Sequence, residues 1–223
     1  MLKKVLALST MFVFAAATAV FADETTNLID KIRTRYSDMP AFEASFKQTL
    51  THKESGAREN RQGRLRFQKP LKINWRTASP NEETLIITDK EIWDYIPDEK
   101  IAYKYSPALA QDSRSLIQVL TGQAALNRDF DVKNAGRENG RIKLALYPNE
   151  PTTQLVEAQI WVEPDTGLIR RANIIDFYGN SNDVSLENLT PKDSIPPSAF
   201  KFSPPKGVVV EDRQNDSSKE LFK

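Results

Sequence analysis

The chain has 223 residues, 31 basic and 30 acidic side chains and a formal net charge of +1, so no excess charge marks it for nucleic acid. It has no cysteine and a single histidine. That inventory excludes a disulfide framework and a zinc cluster of the usual Cys/His kind, and it leaves a packed core as the source of stability.

The N-terminus carries Lys3 and Lys4, then an apolar run from Val5 to Phe21, then Ala22-Asp23. Ala22 supplies the small residue before a signal-peptidase cut, with Val20 acceptable two places earlier. The alternative, an uncleaved anchor, would ask for a span of ~20 strongly apolar residues. This run is shorter and rich in Ala, Ser and Thr. Residues 1–22 are therefore expected to be a cleaved signal peptide, followed by a single domain, 23–223. Removal of two lysines and no acid would take the net charge from +1 to −1, with no electrostatic case for an anionic membrane surface. Asp23 stands at the cut, so no lipid-modified cysteine is available there, and the exported protein is expected to be soluble.

Leu28, Ile29 and Ile32 stand at helical spacing in a predicted short helix, Asn27–Arg35, with Thr25 or Thr26 as N-cap. From Phe42 the period becomes two: Phe42, Ala44 and Phe46 alternate with Glu43, Ser45 and Lys47. Gly63–Trp75 then reads as two strands joined at Lys69-Pro70. Leu65 and Phe67 alternate with charge before the proline; Leu71, Ile73 and Trp75 alternate with polar residues after it. Further strands are predicted at Thr84–Thr88, Ile92–Tyr95 and Lys100–Tyr105. Later ones are expected at Phe130–Asn134, Arg141–Tyr147, Val156–Val162, Leu168–Phe177 and Asp183–Asn188. Turn signals such as Ser79-Pro80-Asn81, Glu138-Asn139-Gly140 and Tyr178-Gly179-Asn180 separate them. Many short strands joined by hairpin turns indicate an antiparallel barrel or sandwich. After Val210 the chain is polar and is expected to fray.

One segment interrupts the strands. Asp112–Thr121 places Leu116, Ile117 and Leu120 on one helical face with Val119 beside them, Asp112 or Ser113 as cap and Gly122 as stop. Such a helix either plugs one end of a barrel or forms a movable lid over an apolar cavity. No catalytic constellation emerges. His52 lies in a polar turn, no G-x-S-x-G elbow or Gly-rich phosphate loop exists, and no carboxylate pair is singled out, so the protein is read as a non-enzyme that needs no cofactor or metal. Trp75, Trp93, Tyr95, Tyr103, Tyr105 and Trp161 all fall on predicted strands. They either fill a core or line a cavity for an apolar guest.

The run Phe46-Lys47-Gln48, Gly63, Leu65, Phe67, Lys69-Pro70 and Asn74-Trp75 resembles the periplasmic outer-membrane lipoprotein carriers of the LolA family. So do Pro80, Thr84–Ile87, Asp89, Ile92-Trp93-Asp94-Tyr95 and Pro97, and the late stretch Phe200-Lys201-Phe202-Ser203-Pro204-Pro205-Lys206-Gly207-Val208. The resemblance implies a mainly β fold: a strongly curved, incompletely closed antiparallel β-barrel with short α-helices forming a lid. It implies a periplasmic monomer that binds the acyl chains of lipoproteins released by an ATP-driven inner-membrane transporter and hands them to an outer-membrane receptor. Leu71, Ile73, Trp75, Ile86, Trp93 and Tyr95 would line the lipid cavity. Leu116, Ile117, Val119 and Leu120 would form the lid.

One position departs from the family pattern. Lys69 stands where relatives usually have an arginine thought to hold the lid closed. Lys69 is then the candidate latch, without the planar fork of arginine. Two other roles share the implied fold: a lipid-binding or envelope-stress-sensing module, and a carrier of another amphiphilic lipid.

Overall fold

The computed structural model describes residues 12–110 and 115–214, with side chains from residue 24 onward. Helix α1 (Phe12–Ser37) precedes six strands: β1 (Ala41–Thr51), β2 (Arg58–Gln68), β3 (Lys72–Ser79), β4 (Glu83–Ile87), β5 (Ile92–Ile96) and β6 (Ile101–Tyr105). Two short helices, α2 (Leu116–Leu120) and α3 (Leu126–Asp129), lead to β7 (Phe130–Glu138), β8 (Arg141–Pro148), β9 (Glu157–Val162), β10 (Ile169–Ile175) and β11 (Ser181–Lys192). The last strand among the described residues is β12 (Val209–Asp212).

All twelve strands form one sheet in the order β12-β6-β5-β4-β3-β2-β1-β11-β10-β9-β8-β7. The described chain is thus two antiparallel meanders joined along the β1–β11 ladder. The terminal strands β12 and β7 are not paired with each other, so the barrel stays open. Every neighbouring pair is antiparallel except β12–β6, which is parallel.

The inner face follows from period-two alternation. Phe42, Ala44 and Phe46 of β1, Leu65 and Phe67 of β2, and Ile73 and Trp75 of β3 join Leu144, Leu146, Ile160 and Ala172 from the other meander in one buried cluster. A single cluster can draw on both ends of so wide a sheet only if the sheet curls. Leu28, Ile29, Ile32 and Tyr36 of α1 fill it from the open side.

Gly63 is required for the tightest approach in the sheet. A Cβ there would lie 1.9 Å from the Arg76 carbonyl oxygen, beside the bulge where the β2–β3 register slips. Its missing side chain also lets the Phe46 and Trp75 rings meet across β2, with centroids 4.3 Å apart.

The structure differs from the sequence expectation at both chain ends. Helix α1 runs through Thr25 and Thr26 without being capped there. The stretch expected to fray, after Val210, begins inside β12, and the segment leading to that strand crosses the outer face. Asn74 Nδ2 donates to the Ala199 carbonyl at 2.6 Å, and Gln68 Oε1 accepts from the Ile195 amide at 2.8 Å. Among the described residues, no helix is long and apolar enough to cross a membrane.

Candidate functional site

The apolar inner face and the helices against it form the candidate site. Ile73 and Trp75 face inward, and Leu71, just before β3, packs against the same cluster. Phe46 and Phe67 also belong to this wall, and Tyr36 of α1 packs in the same cluster. The alternation around Phe46 and Phe67 was a legible signal for them, whereas Tyr36 depends on how α1 docks.

Ile86, Trp93 and Tyr95, expected on the same wall, stand on the other face. The β3–β4 ladder sets Ile73 opposite Ile87, Asn74 opposite Ile86 and Trp75 opposite Leu85. Trp93 pairs with Ile86 and so points outward too. There Ile86, Trp93 and Ala102 form a separate cluster with Tyr95, Phe202 and Val208, and the Phe202 ring lies 5.4 Å from Trp93 and 5.2 Å from Tyr95. The three consecutive apolar residues Leu85-Ile86-Ile87 hide the alternation, so the register alone decides which of them turn inward. Trp161 also faces outward: Arg171 stacks on its ring at 4.0 Å, and its Nε1 donates to Glu138.

Helix α2 is buried on every side. Leu116, Ile117, Val119 and Leu120 are all in the main cluster. Gln118 is buried with them, donating through Nε2 to the Ala110 carbonyl at 3.0 Å. Asp112 and Ser113, expected as caps, lie outside the described residues; Ser115 caps the helix, its Oγ accepting from the Gln118 amide. Gly122 ends it at φ +66°, where an added Cβ would meet the Tyr36 ring at 2.2 Å, so α2 and α1 share a close seam. Tyr36 Oη accepts from the Ile169 amide at 3.2 Å, and burial pushes its hydroxyl pKa well up, keeping it neutral.

Polar contacts tie α1 down from its middle to its C-terminal end. Arg137 of β7 donates to Glu24 at 2.6 Å, Lys31 Nζ to the Pro164 carbonyl at 2.6 Å, and Lys69 Nζ to the Ser37 carbonyl at 2.8 Å. The candidate latch Lys69, expected to hold the lid helix α2, instead reaches the end of α1. Ser37 ends α1, and a terminal carbonyl there is an unfilled acceptor at the negative end of the helix dipole.

A polar cluster shares the inner face near the β3–β4 end. Asp94 sits opposite Leu85 and Tyr103, beside Glu83, which Arg61 reaches at 3.3 Å. Burial first, then the Glu83 carboxylate, push Asp94 up to about 7, while Arg61 and Arg213 oppose the shift. A raised carboxyl pKa means that the folded protein holds a proton already released by the unfolded chain. Stability should therefore fall as pH rises from the ordinary aspartate range to about 7. We expect the melting temperature to drop by about 5 °C between pH 5 and pH 8. Asp94→Asn should flatten that drop in circular-dichroism melts, and parallel wild-type and variant profiles would refute the assignment.

His52 lies in the exposed β1–β2 turn, where its Nδ1 is engaged by Ser55. Among the described residues, no group of three or more His, Cys, Asp or Glu side chains could hold a metal ion.

The chain is, by architecture, an open β-barrel whose apolar interior is closed by helices. It belongs to the family of the outer membrane lipoprotein carrier protein LolA, whose model matches residues 37–203. The chain is 27% identical over 213 residues to an outer-membrane lipoprotein carrier protein of Pectobacterium carotovorum, covering 96% of this chain and all of that one. It is 28% identical over 216 residues to the protein of that name from Proteus mirabilis, with the same coverage. The fold is also that of an uncharacterized conserved protein from Thermus thermophilus, at a TM-score of 0.54 and 11% identity over 85% of this chain and 99% of the other.

Proposed function

We propose that this protein is a periplasmic lipoprotein carrier that encloses the acyl chains of its cargo between the inner face of the sheet and the helices. The observation that supports it most directly is the mixed composition of the interior. Sheet residues Phe46, Phe67, Ile73 and Trp75 are buried together with helix residues Ile32, Tyr36, Ile117 and Leu120. Among the described residues, no backbone ladder joins the helical layer to the strands, so it can move away and leave an apolar wall intact.

The energetics suit a shuttle. Each buried methylene gains ~0.8 kcal/mol, so acyl chains of dozens of carbons could gain on the order of tens of kcal/mol. Displacing the helical layer re-exposes its own apolar side chains and offsets part of that gain. Net affinity is then a difference that permits release. In this reading Lys69, Lys31 and Glu24 hold α1 in the closed form, each contributing about 1 kcal/mol or less at such exposed positions. Cleavage after Ala22 would leave the segment of α1 that faces the interior, from Leu28 to Tyr36. Loading by an inner-membrane transporter and delivery to an outer-membrane receptor complete the proposed cycle.

The test is to isolate the protein from the periplasmic extract of its host and identify bound molecules by lipid extraction and mass spectrometry. Triacylated lipoprotein is the expected cargo. A different amphiphile would redirect the reading to another lipid. Empty protein, together with lipoproteins that still reach the outer membrane in its absence, would overturn it. Altered envelope signalling with intact sorting would favour the stress-sensing role.

A further inference from the structure

The inner face changes chemistry toward one end of the barrel. One inward-facing position further along each strand, Phe46 gives way to Gln48 on β1, Leu85 to Glu83 on β4 and Ile92 to Asp94 on β5. Arg61 of β2 stands opposite Gln48, and its Nη1 reaches Glu83 at 3.3 Å. These side chains form one polar patch bordering the apolar wall. Gln48 is 2% exposed. Its Nε2 donates to Asn182 Oδ1 at 2.9 Å, which fixes the amide, and its Oε1 has no hydrogen-bond partner among the described residues. Asp94 Oδ1 is buried and unpartnered in the same way. A buried acceptor without a donor costs stability. A fold that keeps one at the border of a ligand-holding wall calls for a donor carried by the ligand.

The charges on the patch limit what that ligand is. Arg61 is shared between Glu59 at 2.6 Å and Glu83 at 3.3 Å. Arg213 pairs with Glu211 while stacked on Tyr103, the residue opposite Asp94. Both guanidinium groups are thus matched by carboxylates, and Asp94 beside Glu83 adds a further carboxyl. The phosphate of a phospholipid, or the carboxylate of a free fatty acid, would meet like charge and no spare cation. An uncharged head built of esters and an amide would meet an acceptor for its N–H in Gln48 Oε1, and a donor for a carbonyl in the remaining N–H groups of Arg61. We propose that this patch seats the uncharged ester-and-amide junction of an acylated amino-terminal residue and turns away lipids with an anionic head. The proposal rests on the carrier reading, and adds to it the orientation of the cargo and a basis for rejecting phospholipid.

Protein recovered from the soluble extract of cells expressing the full chain is loaded with a fluorescent acyl probe. The probe is then displaced by two lipids with the same pair of chains, delivered from cyclodextrin: dipalmitoylglyceryl N-acetylcysteine amide, which is uncharged and carries amide N–H groups, and dipalmitoyl phosphatidylglycerol. Wild type is expected to prefer the cysteine lipid by about tenfold. Gln48→Leu should weaken binding of the cysteine lipid and shrink that ratio. Glu83→Gln, which releases Arg61 toward a phosphate, should shrink it by tightening binding of phosphatidylglycerol. Equal displacement by the two lipids in wild type, or a ratio unchanged in either folded variant, would overturn the proposal and leave the carrier reading standing. The wild-type ratio decides the matter even where a variant is unstable. Protein that binds neither lipid nor the acyl probe would overturn both.

Discussion

Gly63→Ala is expected to lower the melting temperature by about 10 °C or more, corresponding to roughly 3 kcal/mol in a domain of this size. The added methyl would stand 1.9 Å from the Arg76 carbonyl oxygen and 2.9 Å from Phe46 Cε1. The Phe46 ring can turn, but the carbonyl belongs to the backbone of β3 and retreats only if β2 and β3 part at their bulge. That ladder carries the wall residues Ile73 and Trp75, so acyl-probe binding should fall with stability. Gly56→Ala is the control. Gly56 has φ +68° and open space within 4 Å of where a Cβ would stand, so it should show only the backbone cost of about 1 kcal/mol. Equal melting temperatures for the two variants would show that the sheet relaxes around Gly63.

Leu116→Ala tests the moving layer, because a lid and a permanent core give opposite signs. Leu116 is 6% exposed in the main cluster, and its truncation should cost the closed form about 2–5 kcal/mol. If the helical layer must leave before cargo enters, weakening the closed form favours the open one, and affinity for a fluorescent acyl probe should rise about tenfold for each 1.4 kcal/mol lost. Ile73→Ala, on the wall itself, should lower both stability and affinity. A Leu116→Ala protein that melts earlier and also binds more weakly would place α2 in the permanent core.

The eleven strands expected from alternation and turns all exist, because period-two patterning and hairpin chemistry are local properties. Three features were not readable that way. Which of Leu85, Ile86 and Ile87 turns inward depends on pairing with β3, and an unbroken apolar run carries no alternation to report it. Strand β12 pairs in parallel with β6, more than a hundred residues earlier in the chain, so no turn signal announces it; the β-branched run Val208-Val209-Val210 was its only trace. Lys69 was singled out by its departure from a family pattern, but its partner, the Ser37 carbonyl, was set by where α1 ends. The candidate site was therefore half legible. Leu71, Ile73 and Trp75 were found from the strand pattern, whereas the outward turn of Ile86, Trp93 and Tyr95 is a matter of register and of a C-terminal strap that covers them.

The single β1–β11 ladder that joins the meanders also governs when the molecule can fold. Its register runs from Ala41 opposite Lys192 to Thr51 opposite Ser181, so nearly the whole chain must be present before the inner face can close. Contacts so distant in sequence form slowly, because the loop between them must be ordered first. A nascent chain with this topology stays open while it is synthesised. That delay keeps it threadable, and it defers assembly of the apolar interior until the last strands have arrived.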